Sequence, residues 1–173
     1  MPIERWQGPV TYELPRPAQV QPQPLAPQQG AHALAVALQP PPLRMIGQWL
    51  RVADLLPAKR LIKIAASGMW LNLYPNRGAI GPDGYLDLTV PPEQLILASA
   101  PPGALLGKIG GSTADRITGD KKADGVILFP IGTYCVVPPL EKAAPLFVAV
   151  NGAQTLADFE FQALTVQFWT SEP

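Results

Sequence analysis

This sequence has few of the residue types that build most catalytic and metal sites. Its 173 residues include one histidine, His32, and one cysteine, Cys135. A single cysteine excludes an intrachain disulfide and leaves the redox compartment open. His32 stands among alanines without a serine or cysteine partner, and Cys135 lies in an apolar run. We find no carboxylate pair, histidine–cysteine cluster or nucleophile motif, so the sequence predicts that the protein is not an enzyme.

Charge is also scarce. Asp, Glu, Lys and Arg make up 15% of the chain, with 13 acidic and 13 basic residues. No basic run stands out, so a nucleic-acid partner is not expected. No apolar run approaches the length of a membrane span. The first six residues lack the apolar core of a signal peptide, which predicts a cytoplasmic or virion location.

Turn residues, by contrast, are abundant, with 22 prolines and 15 glycines. Short alternating or continuous apolar runs lie between them and predict strands at 10–14, 61–66, 69–74, 85–90, 126–129, 133–137, 146–150 and 159–168. Residues 104–109 predict a central strand whose glycines mark a close approach of a neighbour. Without a convincing helix, this pattern predicts an all-β fold, an antiparallel β-sandwich.

Two charged features of this region could suggest ligand sites. Gly107-Lys108 lacks the spacing and the following Ser or Thr of a phosphate loop. Asp115, Asp120 and Asp124 lack the spacing of a calcium loop, so we interpret them as part of a solvated turn.

Residues 15–45 differ from the rest because proline and glutamine dominate them. Such a segment favours extended polyproline II geometry and is either a disordered linker or an arm that lies on a surface. Residues 31–38 alternate like a strand but also fit one or two turns of helix. We divide the chain into a first strand region (1–14), an arm or insertion (15–45) and the β-sandwich (46–173), in a single domain. The arm is expected to contact other protein subunits of an oligomer through the apolar anchors Leu25, Leu34, Val36, Leu38 and Leu43.

The order of several short segments adds a family resemblance. Together they resemble the small calcium-dependent, galactose-binding bacterial lectins of the PA-IL type, over almost the whole chain apart from residues 15–45. That resemblance implies a lectin-like β-sandwich. The segments that carry it are Trp6–Val10, Leu61–Gly68 followed by Tyr74-Pro75 and Gly81-Pro82, Gly103–Gly110, and Leu146–Asn151 followed by Thr155.

The same resemblance implies a calcium site that the bound sugar completes. Oxygen ligands of the kind found in that family suit calcium. At the matching positions the chain offers Tyr74, through its carbonyl, and Asn151, Thr155 and Asp158. Phe159 stands where the family has a further asparagine, and it has no ligating atom. The implied sugar contacts are Glu93, Asn151 and Thr155, whereas Val90 stands near the family's histidine, so the sugar site is predicted to be degenerate.

Two functions are therefore predicted. The first is a non-enzymatic structural subunit of a larger complex, for example a phage tail or baseplate component, with no cofactor. It would use a lectin-like fold and dock its arm on neighbouring subunits. The alternative is a calcium-dependent lectin for galactosides.

Overall fold

The computed structural model shows two antiparallel four-stranded β-sheets that share one apolar core. It describes residues 5–14, 49–71, 74, 76–113, 115, 117, 125–152 and 160–172. The strands are β1 (Trp6–Leu14), β2 (Leu50–Leu56), β3 (Ile62–Leu71), β4 (Leu105–Ile109), β5 (Ile127–Pro130), β6 (Tyr134–Val137), β7 (Ala144–Val150) and β8 (Glu160–Ser171).

The strand order is β1-β8-β3-β6 in one sheet, here called sheet A, and β2-β7-β4-β5 in the other, called sheet B. This arrangement confirms the predicted all-β antiparallel sandwich. The single helical element in the described part of the chain is the 3-10 turn Pro92–Gln94. In that part no helix is long and apolar enough to cross a membrane.

Alternation along the strands of sheet A sets which side chains enter the core. In β3, Ile62, Ile64 and Trp70 are fully buried, whereas Lys63 and Met69 lie on the opposite, outer face. Successive strand residues point to opposite faces, so one alternating run makes one buried face. Each fully buried aliphatic side chain stabilises the fold by roughly 1.5–3 kcal/mol.

Strand β4 is central in sheet B, as predicted, because it lies between β7 and β5. All five of its residues are buried. Gly107 has no side chain and pairs with Phe129 of β5. The Phe129 ring fills the space above this glycine, and a Cβ at Gly107 would collide with it. The close approach predicted at the glycines of this strand is therefore, at Gly107, that of the Phe129 side chain.

We expect Gly107→Ala to destabilise the protein by about 1–3 kcal/mol, because the new methyl group forces the Phe129 ring out of its place. Urea unfolding measures the change. Gly78→Ala is the matched control, since nothing lies within contact of a Cβ there. The double variant Gly107→Ala, Phe129→Leu should recover part of the loss, and equal stability of Gly107→Ala and wild type would contradict this packing.

Two strand predictions are wrong. Ser67-Gly68 does not divide the run that contains it, because β3 continues through Gly68, which pairs with Leu164 of β8. A Cβ at Gly68 would meet the Ala163 carbonyl oxygen, so this glycine lets β8 approach closely. Residues 85–90 form turns and irregular backbone. Leu86, which the alternation would place on a buried face, is 81% exposed, whereas the neighbouring Tyr85 is buried and its N–H donates to the Pro102 carbonyl at 2.7 Å.

A buried ion pair lies on β4. Lys108 is fully buried, and its Nζ lies 2.6 Å from Asp115 Oδ2. The ammonium group also donates to the Ser112 carbonyl oxygen. It lies 4.6 Å from the ring centroid of Phe147 and 5.0 Å from that of Trp49. The charge of Lys108 is thus balanced by one carboxylate and surrounded by aromatic faces.

Asp115 is held from several sides. It accepts hydrogen bonds from the backbone N–H of Ser112 at 2.8 Å and from the Ser112 hydroxyl at 2.9 Å. Its own carbonyl accepts the Trp49 indole N–H at 3.1 Å. Asp115 therefore has a role that the predicted solvated turn did not include, because its partly exposed carboxylate neutralises the buried Lys108. Asp120 and Asp124 lie outside the described residues.

Candidate functional site

Asn151 follows the last residue of β7 and is fully buried. Its Oδ1 accepts the backbone N–H groups of Ile96 at 2.9 Å and Leu97 at 3.0 Å. Its Nδ2 donates to the carbonyls of Leu97 at 3.0 Å, Ala100 at 2.9 Å and Pro101 at 3.1 Å. An amide oxygen has two lone pairs and an amide nitrogen two hydrogens. The hydrogen-bonding capacity of this side chain is therefore fully used within the protein.

The backbone of Asn151 extends the pairing of β4 with β7. Its N–H donates to the Ala104 carbonyl at 2.8 Å, and its carbonyl accepts the Gly103 N–H at 2.6 Å. Asn151 thus fixes the loop 95–104 against the end of sheet B. We did not predict this role from the sequence. The available signal was one amide residue directly after the apolar run 144–150.

Two tyrosines pack at the same end of the sandwich. The rings of Tyr74 and Tyr85 meet edge to face, with centroids 5.6 Å apart. The Tyr85 hydroxyl donates to the Gly78 carbonyl at 2.9 Å. The buried Tyr74 hydroxyl has no hydrogen-bond partner in the described part of the chain. Burial, followed by the neighbouring Tyr85, raises the pKa of Tyr74, so this hydroxyl stays protonated.

Arg77 adds charge beside this pair. Its Nη1 lies 2.7 Å from Asp87 Oδ2, and its guanidinium carbon lies 5.9 Å from the Tyr85 ring centroid. The hydrogen bond from Arg77 lowers the pKa of Asp87. The backbone N–H of Arg77 donates to the Tyr74 carbonyl at 3.2 Å. The carbonyl that was predicted to bind calcium therefore already accepts one hydrogen bond.

Two further predicted site residues, Glu93 and Tyr74, connect to the loop 95–104 that Asn151 holds. Glu93 is exposed in the turn Pro92–Gln94, which leads directly into the segment that binds Asn151. Tyr74 joins the same end of the molecule through Tyr85, whose N–H binds the loop 95–104 at Pro102. Val90 is partly buried close to this turn in sequence.

Other predicted residues cannot be placed in the same way. Thr155, Asp158 and Phe159 lie outside the described residues, as do the arm anchors Leu25, Leu34, Val36, Leu38 and Leu43.

Asn151, the one described side-chain ligand of the predicted calcium site, has no free lone pair for the ion. Calcium takes roughly six to eight oxygen ligands. The Asn151 oxygen is already saturated by two backbone donors, whereas the Tyr74 carbonyl accepts one hydrogen bond and keeps a second lone pair. Among the described residues, no three His, Cys, Asp or Glu side chains lie close enough together to hold a metal ion. The contributions of Thr155 and Asp158 stay predictions.

Comparison with known proteins gives a likeness to solved structures but none to sequences. No protein-family model matches the chain, and no curated protein matches its sequence. A solved structure described as the EclA N-terminal domain, a PllA-like lectin, is similar over 73% of this chain and 90% of its own. The identity is 14% and the TM-score 0.46. Because a likeness at this level is weak, the assignment of a β-sandwich rests on the two sheets themselves.

Proposed function

We propose that this protein is a non-enzymatic structural subunit of a larger complex, built on a lectin-like β-sandwich with a degenerate sugar site. The observation that carries the proposal is the position of Asn151. Its side chain, the one ligand side chain of the predicted calcium site within the described residues, holds the loop 95–104 through five hydrogen bonds. A phage tail or baseplate is an example of such a complex.

The outer face of sheet A supports a role in assembly. Met69, Tyr134 and Val136 lie on this face and are 43%, 55% and 49% exposed. Contiguous exposed apolar surface marks interaction sites, and Tyr134 and Val136 are neighbours on this face. A subunit of a larger complex would cover such a face with a neighbour.

The arm, residues 15–45, is the second element of the proposal. It begins directly after Leu14, the end of an edge strand, and the chain returns to the described fold at Trp49. At the polyproline rise, a segment of this length reaches roughly 90 Å, far beyond one small domain. Proline also reduces the entropy lost when such a segment is ordered on a partner. We propose that its apolar anchors dock on neighbouring subunits.

Removing the arm tests this function. With residues 15–45 replaced by a short Gly/Ser linker, the protein should stay folded, because the core comes from the strands. It should no longer enter its complex, which sedimentation of extracts from the source cells would show as a shift to the mass of the free protein. The matched control keeps the arm's length and prolines but changes its five anchors to serine, and it should lose assembly too. Normal assembly of the deleted protein would refute the role of the arm.

A calcium-dependent galactoside lectin is the second candidate. The unpartnered buried hydroxyl of Tyr74 favours it, since an unsatisfied polar atom beside a predicted ligand site is costly to keep. The degenerate positions Val90 and Phe159 weigh against it, because neither side chain can bond a hydroxyl or a metal ion.

We expect calcium titration calorimetry to show no saturable heat, and a glycan array to show no calcium-dependent galactoside signal. The physical reason is that the described ligands are already engaged, and a sugar hydroxyl left unpaired binds poorly. Asp158→Ala is the diagnostic variant. A tight calcium heat that Asp158→Ala abolishes would establish the lectin function instead.

A further inference from the structure

The described sandwich has four edge strands, and three of them are protected against pairing with another chain. Edge strands expose unpaired N–H and C=O groups, and proteins block them with bulges, prolines and charges. In β1 the pairing is interrupted between Gln7 and Val10, where Pro9 lies. In β2 the register shifts twice, and Arg51 and Asp54 form an ion pair at 3.1 Å on the edge.

Strand β5 is blocked by proline. The Ile131 N–H donates to the Leu105 carbonyl at 2.8 Å, and this bond shows which residues of β5 direct their N–H and C=O groups towards β4. In an antiparallel pair the hydrogen-bonding groups of successive residues point to alternate sides. The groups of Leu128 and Pro130 therefore face the free edge of β5. Pro130 has no N–H, so this edge cannot offer a complete ladder.

Strand β6 lacks these protections. The Ala66 N–H donates to the Thr133 carbonyl at 3.0 Å, and this bond shows which residues of β6 direct their N–H and C=O groups towards β3. By the same alternation, Cys135 and Val137 bond to β3, while the N–H and C=O groups of Tyr134 and Val136 face outwards. The register is regular, and no residue of β6 is charged. Within the described residues, no strand pairs with this edge.

We propose that β6 pairs antiparallel with β6 of a second copy of this chain, so that the two sheets A join across a two-fold axis. This inference goes beyond the proposed function, because it concerns contact between two copies rather than docking of the arm. Tyr134 of each copy lies opposite Val136 of the other, and Cys135 lies opposite Cys135 at the axis. In this register every outward N–H and C=O group of Tyr134 and Val136 finds a partner.

Neighbouring two-fold registers are less favourable. A shift in one direction brings Pro138, which has no N–H, opposite Tyr134. A shift in the other direction brings Gly132 opposite Val136, and Gly132 lies in a turn with φ +58°. Pro138 and Gly132 therefore limit the hydrogen bonds between two β6 strands to Tyr134 and Val136, which pair with each other across the two-fold axis.

The side chains of β6 also favour pairing with a second copy of this chain. Tyr134 and Val136 would form an aromatic–β-branched cross-strand pair, twice by symmetry, and such pairs stabilise sheets. Only two residues of β6 direct their backbone groups outwards, which is a short edge for a foreign peptide. In a second copy, the two-fold axis forms the Tyr134–Val136 pair twice. No like charges meet, because β6 has none. The contact is small, so the dimer should be weak and reversible.

Sedimentation equilibrium of the full chain over a wide concentration range tests the proposal. The wild type should form a reversible dimer. Val136→Lys should raise the dimer dissociation constant about tenfold or more, since it places like charges on the paired edges. Ile127→Lys is the matched control, because Ile127 is 48% exposed on the edge of the other sheet, and it should leave the constant unchanged. Tyr134→Lys replaces Val136→Lys if circular dichroism shows that the latter is unfolded.

Cysteine cross-linking tests the register. The only thiol of each copy would lie at the axis, in a non-hydrogen-bonded pair with Cα atoms about 4.5 Å apart, close enough for a disulfide. Burial raises the pKa of Cys135 to about 11, so oxidation with copper–phenanthroline is run at alkaline pH. A covalent dimer that Cys135→Ser prevents and Val136→Lys diminishes is the expected result. A protein that stays monomeric, a dimer equally sensitive to Val136→Lys and Ile127→Lys, or a dimer that does not cross-link would overturn the proposal.

Discussion

Asn151→Ala is expected to reduce the free energy of unfolding by about 4 kcal/mol, because it leaves several buried polar groups without partners. The substitution removes two acceptor contacts to backbone N–H groups and three donor contacts to carbonyls. Each buried group left unsatisfied costs roughly 1–3 kcal/mol, less what water or relaxation of the loop recovers. Denaturant unfolding followed by tryptophan fluorescence measures the loss.

Asn151→Asp separates hydrogen bonding from size. The carboxylate keeps the acceptor for Ile96 and Leu97 but turns negative oxygen towards the carbonyls of Ala100 and Pro101. A buried carboxylate against acceptors favours its protonated form. The destabilisation of this variant should therefore grow as the pH rises above the ordinary range of carboxyl groups.

Gln94→Ala is the matched control for both Asn151 variants, because Gln94 is an exposed amide in the same loop region. Its effect should stay within about 0.5 kcal/mol. An Asn151→Ala protein as stable as the Gln94→Ala protein would show that the loop does not depend on these hydrogen bonds.

Asp115→Ala is expected to destabilise the protein by about 3–5 kcal/mol, because it leaves the Lys108 ammonium group buried without its counter-charge. Lys108 is fully buried, whereas the Asp115 side chain is 23% exposed. Lys108→Met should cost less, since it removes the buried charge, keeps most of the volume and leaves a carboxylate that water can reach. Equal losses in the two variants would contradict this asymmetry.

The same pair predicts a dependence of stability on acid. The hydrogen bond from Lys108, followed by that from the Ser112 backbone, lowers the pKa of Asp115 to about 2. The ordinary pKa of an unfolded Asp is about 3.9. A lowered native pKa stabilises the fold above the unfolded value, and this contribution is lost as the pH falls from about 4 towards 2. Urea unfolding between pH 5 and pH 2 should show this loss in the wild type and a smaller one in Lys108→Met.

Much of the fold was accessible to sequence analysis because strands bury alternate residues. The runs 104–109, 133–137 and 146–150 each contain most of one strand, and the run 61–66 contains the first half of β3. The errors have a common cause. The local pattern predicts a strand break at Gly68 and a strand that starts at Tyr85, because it does not show which backbone a glycine or a buried ring meets.

The candidate site was less accessible. Asn151 was selected by resemblance as a ligand, yet its side chain bonds residues about 50 positions away along the chain. Which of its two roles an amide takes, ligand or loop anchor, depends on the groups that surround it after folding. No periodicity in the sequence contains that information.

The sequence by itself determined the all-β class and the central place of β4, because composition and alternation are local properties of the chain. Only the tertiary structure decided how Lys108 is neutralised, what occupies the space above Gly107 and which strands form the edges of the described sheets. These features depend on contacts between distant segments. Their energies arise only when burial removes water from both partners, and for that reason they appear only in the folded molecule.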